Sequence, residues 1–112
     1  MTGQIVILST CATAEEAERL ARLLLERRLA ACVNIAPGIR SFYRWKGEIE
    51  SAGEWLLVIK SSRELFDAVA AAIEAAHSYE VPEVIALPIV EGSANYLNWL
   101  SSHLGAPLGN ES

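Results

Sequence analysis

The chain has 112 residues, 52% of them apolar and 21% charged, with a formal net charge of −5. That length gives one domain with one ordinary core, residues 1–112, and the acidic balance argues against nucleic-acid backbone binding, which takes a clustered basic face. Two cysteines make no disulfide framework, and the opening residues lack the basic start and long apolar run of a signal peptide or membrane span, so a cytoplasmic protein with reduced thiols is expected.

Ile5-Val6-Ile7-Leu8 is an unbroken apolar run that predicts a central strand buried on both faces. Thr13 and Glu16 then have capping-box spacing, in which hydroxyl and carboxylate satisfy each other's backbone N–H groups. The helix behind them carries Ala17, Leu20, Ala21, Leu24 and Leu25 at helical spacing and is expected to end near Leu29, with Arg27 and Arg28 meeting the negative end of its dipole.

Ala31 to Ile35 predicts a second strand. Pro37-Gly38 interrupts it with a bend, bulge or edge, because proline cannot donate to a ladder. The extended pattern resumes through Ile39, Phe42, Tyr43 and Trp45, turns at Lys46-Gly47 and returns from Glu48 to Lys60. Arms of about a dozen residues reach about 40 Å at strand rise, about twice the usual length, so this aromatic-rich hairpin is expected to project beyond its own core. Ser61 and Glu64 repeat the capping-box spacing before a helix that buries Leu65, Phe66, Val69 and Ile73 and ends near Ala76. Val84 to Val90 predicts an edge or bulged strand around Pro88. Ser93 is placed to cap a last helix carrying Tyr96, Leu97, Leu100 and Leu104, and the tail from Gly105 to Ser112 is expected to fray.

The order β-α-β-β-α-β-α predicts an α+β fold, a ferredoxin-like βαββαβ sandwich with an extra C-terminal helix and a long β2–β3 hairpin. Right-handed crossovers put the two main helices on one face of the sheet. The other face then needs the final helix, a neighbouring subunit, or both. The excess of apolar residues agrees with self-association.

Three common occupants of this fold fail on the residues. The two cysteines are 21 residues apart, unlike the four clustered ligands of an iron–sulfur centre. Thr10-Cys11-Ala12-Thr13 has one thiol where a copper chaperone has two. The first strand lacks the stacking aromatics of an RNA-recognition domain. The densest chemistry is His77-Ser78-Tyr79-Glu80-Val81-Pro82-Glu83, a loop between helix and strand. It reads either as a functional loop aimed by a rigid scaffold or as a helix end followed by a proline turn. Cys11 and His77 both close core elements and could share a soft metal with a third ligand; each cysteine read alone is a small buried hydrophobe.

Leu-Ala-Ala-Cys-Val-Asn-Ile (29–35), Ser-Phe-Tyr-Arg-Trp-Lys-Gly-Glu-Ile-Glu (41–50), Glu54 through Lys60, His77 to Glu83 and the Tyr96-Leu-x-Trp99 helix together resemble the CutA divalent-cation-tolerance family, from about Ile5 to Leu104. The resemblance implies a ferredoxin-like protomer in a compact homotrimer whose long hairpin makes intersubunit contacts, akin in architecture to PII signalling trimers that bind effectors between subunits. It implies tolerance to copper and other divalent metals, and no established enzymatic activity. Ser78 replaces the proline of the family's H-P-Y-E. At the positions of the copper site described for some members, Ser9 stands for the cysteine, with Cys11 two residues on, and Ala76 for the first histidine, so only His77 matches directly.

Two functional readings follow. In the first, a trimer binds copper or another divalent cation through His77, with help from Cys11 or Glu80. In the second, a PII-like trimer holds a small molecule or protein partner in an intersubunit cleft lined by Tyr43, Trp45, Lys60, Tyr79, Glu80 and Glu83, a mixture of aromatic faces and a few charges typical of ligand pockets. Trp45 also reads as interface core. No nucleic acid or membrane is expected as partner.

Overall fold

The computed structural model describes residues 2–105; the tail expected to fray lies outside them beyond Gly105. The elements are β1 (Gln4–Cys11), α1 (Ala14–Glu26), β2 (Cys32–Trp45), β3 (Glu48–Ser62), α2 (Phe66–Ala76), β4 (Ile85–Pro88) and α3 (Ala94–Ser102), with one 3-10 turn, Arg63–Leu65, leading into α2. The sheet order is β2-β3-β1-β4, and every neighbouring pair is antiparallel. This is the split β-α-β arrangement of the ferredoxin-like sandwich.

β1 alternates strictly between half-buried and buried positions. Ile5, Ile7, Ser9 and Cys11 face α1 and α2, where they join Leu57 and Ile59 of β3, Leu20 and Leu24 of α1, and Val69 and Ile73 of α2 in one core. The opposite face is only partly covered. Its covered end lies under α3, where Leu100 is buried and Gln4 donates to Ser101 Oγ at 2.5 Å. Toward β4, Ile85 and Leu87 remain 51% and 53% exposed.

Helix α1 ends at Glu26, three residues before Leu29. Arg28 takes the left-handed conformation (φ 58°), and the Leu29 N–H folds back to Leu24 O at 2.9 Å, a C-terminal closure usually left to glycine. The Arg28 guanidinium donates to the Gly105 and Ser102 carbonyls, tying the end of α3 to the end of α1. Leu25 lies 42% exposed and Leu23 packs on the core in its place. The second capping box does not form: the Ser61 hydroxyl is buried and donates to Leu29 O at 2.6 Å, and α2 starts from the 3-10 turn without a side-chain cap. β4 is shorter than the Val84–Val90 span and pairs with β1 only from Ile5 to Leu8.

Pro37 and Gly38 stand opposite Trp55 alone, a β-bulge that Gly38 enters with φ 78°. Beyond it the hairpin runs to Lys46-Gly47. Both turn residues have positive φ, 51° and 83°, as the two-residue turn that matches strand twist requires. The arms of 14 and 15 residues draw the protomer out to 52 × 29 × 22 Å.

Candidate functional site

Because β4 stops opposite Leu8, the last three residues of β1 have no strand on that side. The loop 77–84 passes there instead, and it separates two distinct chemical environments.

The inner one gathers Cys11, Glu16 and His77, one ligand atom from each lying within 4.8 Å of the others. The end of β1 supplies the thiol, the first turn of α1 the carboxylate, and the end of α2 the imidazole. Cys11 Sγ lies 3.9 Å from His77 Nε2. Nε2 lies 2.7 Å from Thr10 O, Nδ1 accepts the Tyr79 N–H at 3.0 Å, and Nδ1 also stands 3.5 Å from Glu16 Oε2. Glu16 accepts the Ser78 N–H at 2.6 Å and the Ser78 hydroxyl at 3.0 Å. Thr13 does cap α1 by accepting the Glu16 N–H, but the carboxylate leaves the box and reaches the loop. Burial alone would raise the Glu16 carboxyl pKa; the bonds from Ser78, with His77 and Arg19 nearby, bring it below the ordinary range. Burial first, then Glu16 and Glu54, push the Cys11 thiol up to about 12. Ser9, on the same face of β1, has a buried hydroxyl without a hydrogen-bond partner.

These donors fit a metal ion. A tetrahedral ion with sulfur at about 2.3 Å and nitrogen at about 2.0–2.1 Å holds those two atoms about 3.6 Å apart, close to the separation found here. Thiolate, imidazole and carboxylate suit copper or zinc. Binding would take the thiol proton and release Nε2 from Thr10. Glu80 stands apart from this group, exposed on the outer side of the loop; Glu16 occupies the third position.

The outer environment is a cleft of about 700 Å³ between the loop and the hairpin. Tyr43 and Trp45 of β2 and Tyr79, Glu80 and Glu83 of the loop line it. Lys60 is not among the lining residues; its ammonium bonds Asn34 far along β3. Thr10, Ser41 and Glu54 also line it, with Phe42, Ser78 and Val81. Glu54 is only 6% exposed and accepts from Ser41 Oγ and from the Tyr79 hydroxyl, both at 2.5 Å. Burial first, and then Glu54, raise the Tyr79 phenol above its ordinary value. Tyr79 thus joins the two environments, its ring 4.7 Å from that of His77 and its hydroxyl in the cleft.

Sequence reasoning missed Glu16 and Glu54, though each left a trace. Glu16 continues the Leu20–Leu24 stripe of α1 by one turn, and Glu54 alternates with Leu56 and Val58 on one face of β3.

The family profile described as "CutA1 divalent ion tolerance protein" matches residues 5–103. The chain belongs to the CutA family. A divalent-cation tolerance protein CutA of Thermus thermophilus is 46% identical over 100 residues, covering 89% of this chain and 97% of that protein. A chloroplastic CutA of Arabidopsis thaliana is also 46% identical, over 88% of this chain but 54% of its own length, so the chain spans about half of that relative. The solved Thermus thermophilus structure superposes with a TM-score of 0.89 at 45% identity, covering 91% of this chain and 99% of that one. The CutA of Archaeoglobus fulgidus, described as periplasmic, gives 0.87 at 43%, over 89% and 97%. CutA proteins carry the name of a tolerance function rather than of a reaction, and no described helix of this one is long and apolar enough to cross a membrane.

Proposed function

We propose that this CutA protein acts in divalent-cation tolerance by taking up copper or a similar ion at Cys11, Glu16 and His77. The carrying observation is the convergence of thiol, carboxylate and imidazole atoms within 4.8 Å. The elevated thiol pKa supports weak, pH-dependent uptake rather than a resident cofactor, because the metal must displace a tightly held proton. Both cysteines are free thiols, which fits a reducing compartment such as the cytoplasm. The assembly we propose is a homotrimer: the half-covered sheet face, with Ile85 and Leu87, and the exposed Phe42 and Ile49 of the hairpin supply apolar surface for a second chain.

Native mass spectrometry of the metal-stripped protein, then with copper or zinc added at one equivalent per chain, tests this. Three-chain ions carrying three metals, with uptake lost in both Cys11→Ser and His77→Ala, are expected. Uptake unchanged in both variants would refute the site.

The cleft favours a second reading, a PII-like trimer that binds a small effector, because aromatic and charged side chains converge on a concave surface of ligand size.

A further inference from the structure

We propose that the cleft between hairpin and loop is a receptor for a small organic ammonium ion. The proposal rests on the second reading above and adds the chemical class of the ligand.

The charge of the wall carries the argument. Within the protomer Glu54, Glu80 and Glu83 line the cleft, and no lysine, arginine or histidine of the same chain does. Glu54 is nearly buried, and among the described residues no cation lies within ion-pairing distance of it. Ser41 and Tyr79 hold both its oxygens by hydroxyl bonds at 2.5 Å, fixing a negative centre in the wall without neutralising it. A buried carboxylate without a counter-ion is an electrostatic vacancy for a cation.

The nature of that cation follows from two further observations. Among the described residues the one trio of ligand atoms close enough to share an ion is Cys11, Glu16 and His77. The cleft carboxylates are therefore spread too widely to form a cage for a bare metal. The aromatic side chains of Phe42, Tyr43, Trp45 and Tyr79 line the same cleft. Aromatic faces attract a cation most when it is poorly hydrated and broad enough to touch several of them, as an alkyl- or arylammonium is. A cleft of about 700 Å³ suits a ligand of that size. An anionic effector would meet three like charges and no donor cation.

Three near-isosteric probes separate charge from shape: benzylammonium, benzyl alcohol and benzoate. Each is titrated into the full-length protein by calorimetry and by backbone-amide NMR, with Trp45, Tyr79 and Glu80 as reporters. Benzylammonium is expected to bind about tenfold more tightly than benzyl alcohol, with benzoate undetectable. Glu80→Gln/Glu83→Gln, both at exposed positions and tolerable to the fold, is expected to weaken the ammonium about fivefold and leave the alcohol unchanged. Trp45→Leu is expected to weaken it by a similar factor. Equal binding of alcohol and ammonium, or preference for benzoate, would keep the cleft as a ligand site and overturn its ammonium selectivity. Silence of all three reporters with all three probes up to about 10 mM would overturn the cleft as a ligand site as well. The copper titration stands apart from both outcomes, since Cys11 lies on the other side of the loop.

Discussion

Replacing Glu16 with alanine tests whether this carboxylate, rather than the loop's own sequence, fastens the loop 77–84 to the body of the protein. The substitution removes two bonds to an anion, from the Ser78 N–H at 2.6 Å and the Ser78 hydroxyl at 3.0 Å. Bonds to a charged group are worth about 1.5–3 kcal/mol each. Two that share one carboxylate do not add fully, so about 3 kcal/mol is a fair gross loss. Alanine returns about 0.5 kcal/mol of helix propensity, and the Thr13 cap uses the Glu16 backbone, which is kept. The net loss is about 2.5 kcal/mol. With a guanidinium m-value of about 4 kcal/mol/M, the unfolding midpoint falls by about 0.6 M, measured by tryptophan fluorescence at one fixed protomer concentration. Ser78→Ala, which loses only the hydroxyl bond, lowers it by about 0.3 M in the parent and by nothing in the Glu16→Ala background. A midpoint shift under about 0.2 M for Glu16→Ala, or an equal cost of Ser78→Ala in both backgrounds, would refute the latch.

The Glu16 carboxyl sits below its unfolded value near 4.5, so its stabilisation is complete above that pH and is lost as pH falls through the lower folded value; Glu16→Gln is therefore expected to lose less stability than the parent between neutral and acid pH in paired denaturation curves. Cys11, buried and with its pKa pushed up to about 12, is expected to resist iodoacetamide in the native state while the partly exposed Cys32 reacts; peptide mapping showing Cys11 alkylated first would contradict this. Ser9→Ala removes a buried hydroxyl that has no partner and is expected to raise stability by about 1 kcal/mol, read as a higher guanidinium midpoint; a lower one would reveal a hidden hydrogen bond. Gly47→Ala forces a side chain onto φ 83° and is expected to cost about 1 kcal/mol, whereas Lys46→Asn, placing a residue at ease with positive φ in the same turn, should gain a few tenths; thermal midpoints of the two variants moving together would count against the turn.

The features most legible in the sequence were those decided by local chemistry. Proline next to glycine inside an extended run announced a break in the ladder, open between bend, bulge and edge, Lys46-Gly47 announced the turn, and Thr13 and Ser93 the starts of α1 and α3. Ferredoxin-like topology followed from element order, since crossover handedness leaves few alternatives. Long-range competition hid the rest. Glu16 had two suitors, its own helix N-terminus and a loop 62 residues away, and capping rules count only the first. Ser61 was likewise drawn to the Leu29 carbonyl by burial, leaving the start of α2 uncapped. Cys11 and His77 were recognisable as ends of core elements. The separation of Glu80 from them was not, because three loop residues suffice to turn a side chain to the other side. Lys60 was misplaced by distance along a strand: its pairing partner is Cys32, whereas the cleft begins near Glu54.

The bulge at Pro37-Gly38 lets one sequence spell one of two opposite surfaces. Before it, Ala36 pairs with Leu56; after it, Ile39 pairs with Glu54, Ser41 with Ala52 and Tyr43 with Glu50. Strict one-to-one pairing from Ala36 onward would instead turn Arg40 and Arg44 toward the side of Glu54, setting two guanidinium groups against the carboxylates of Glu54, Glu80 and Glu83 where Tyr43 and Trp45 now stand. Deleting Gly38 would leave every later residue facing as it does now, since the extra residue is the one that goes. Straightening the strand with a bulky β-branched residue at Gly38 would press toward the inverted face. The polarity of the cleft is thus written in the frame in which the hairpin is read, and the register shift at Pro37-Gly38 sets that frame.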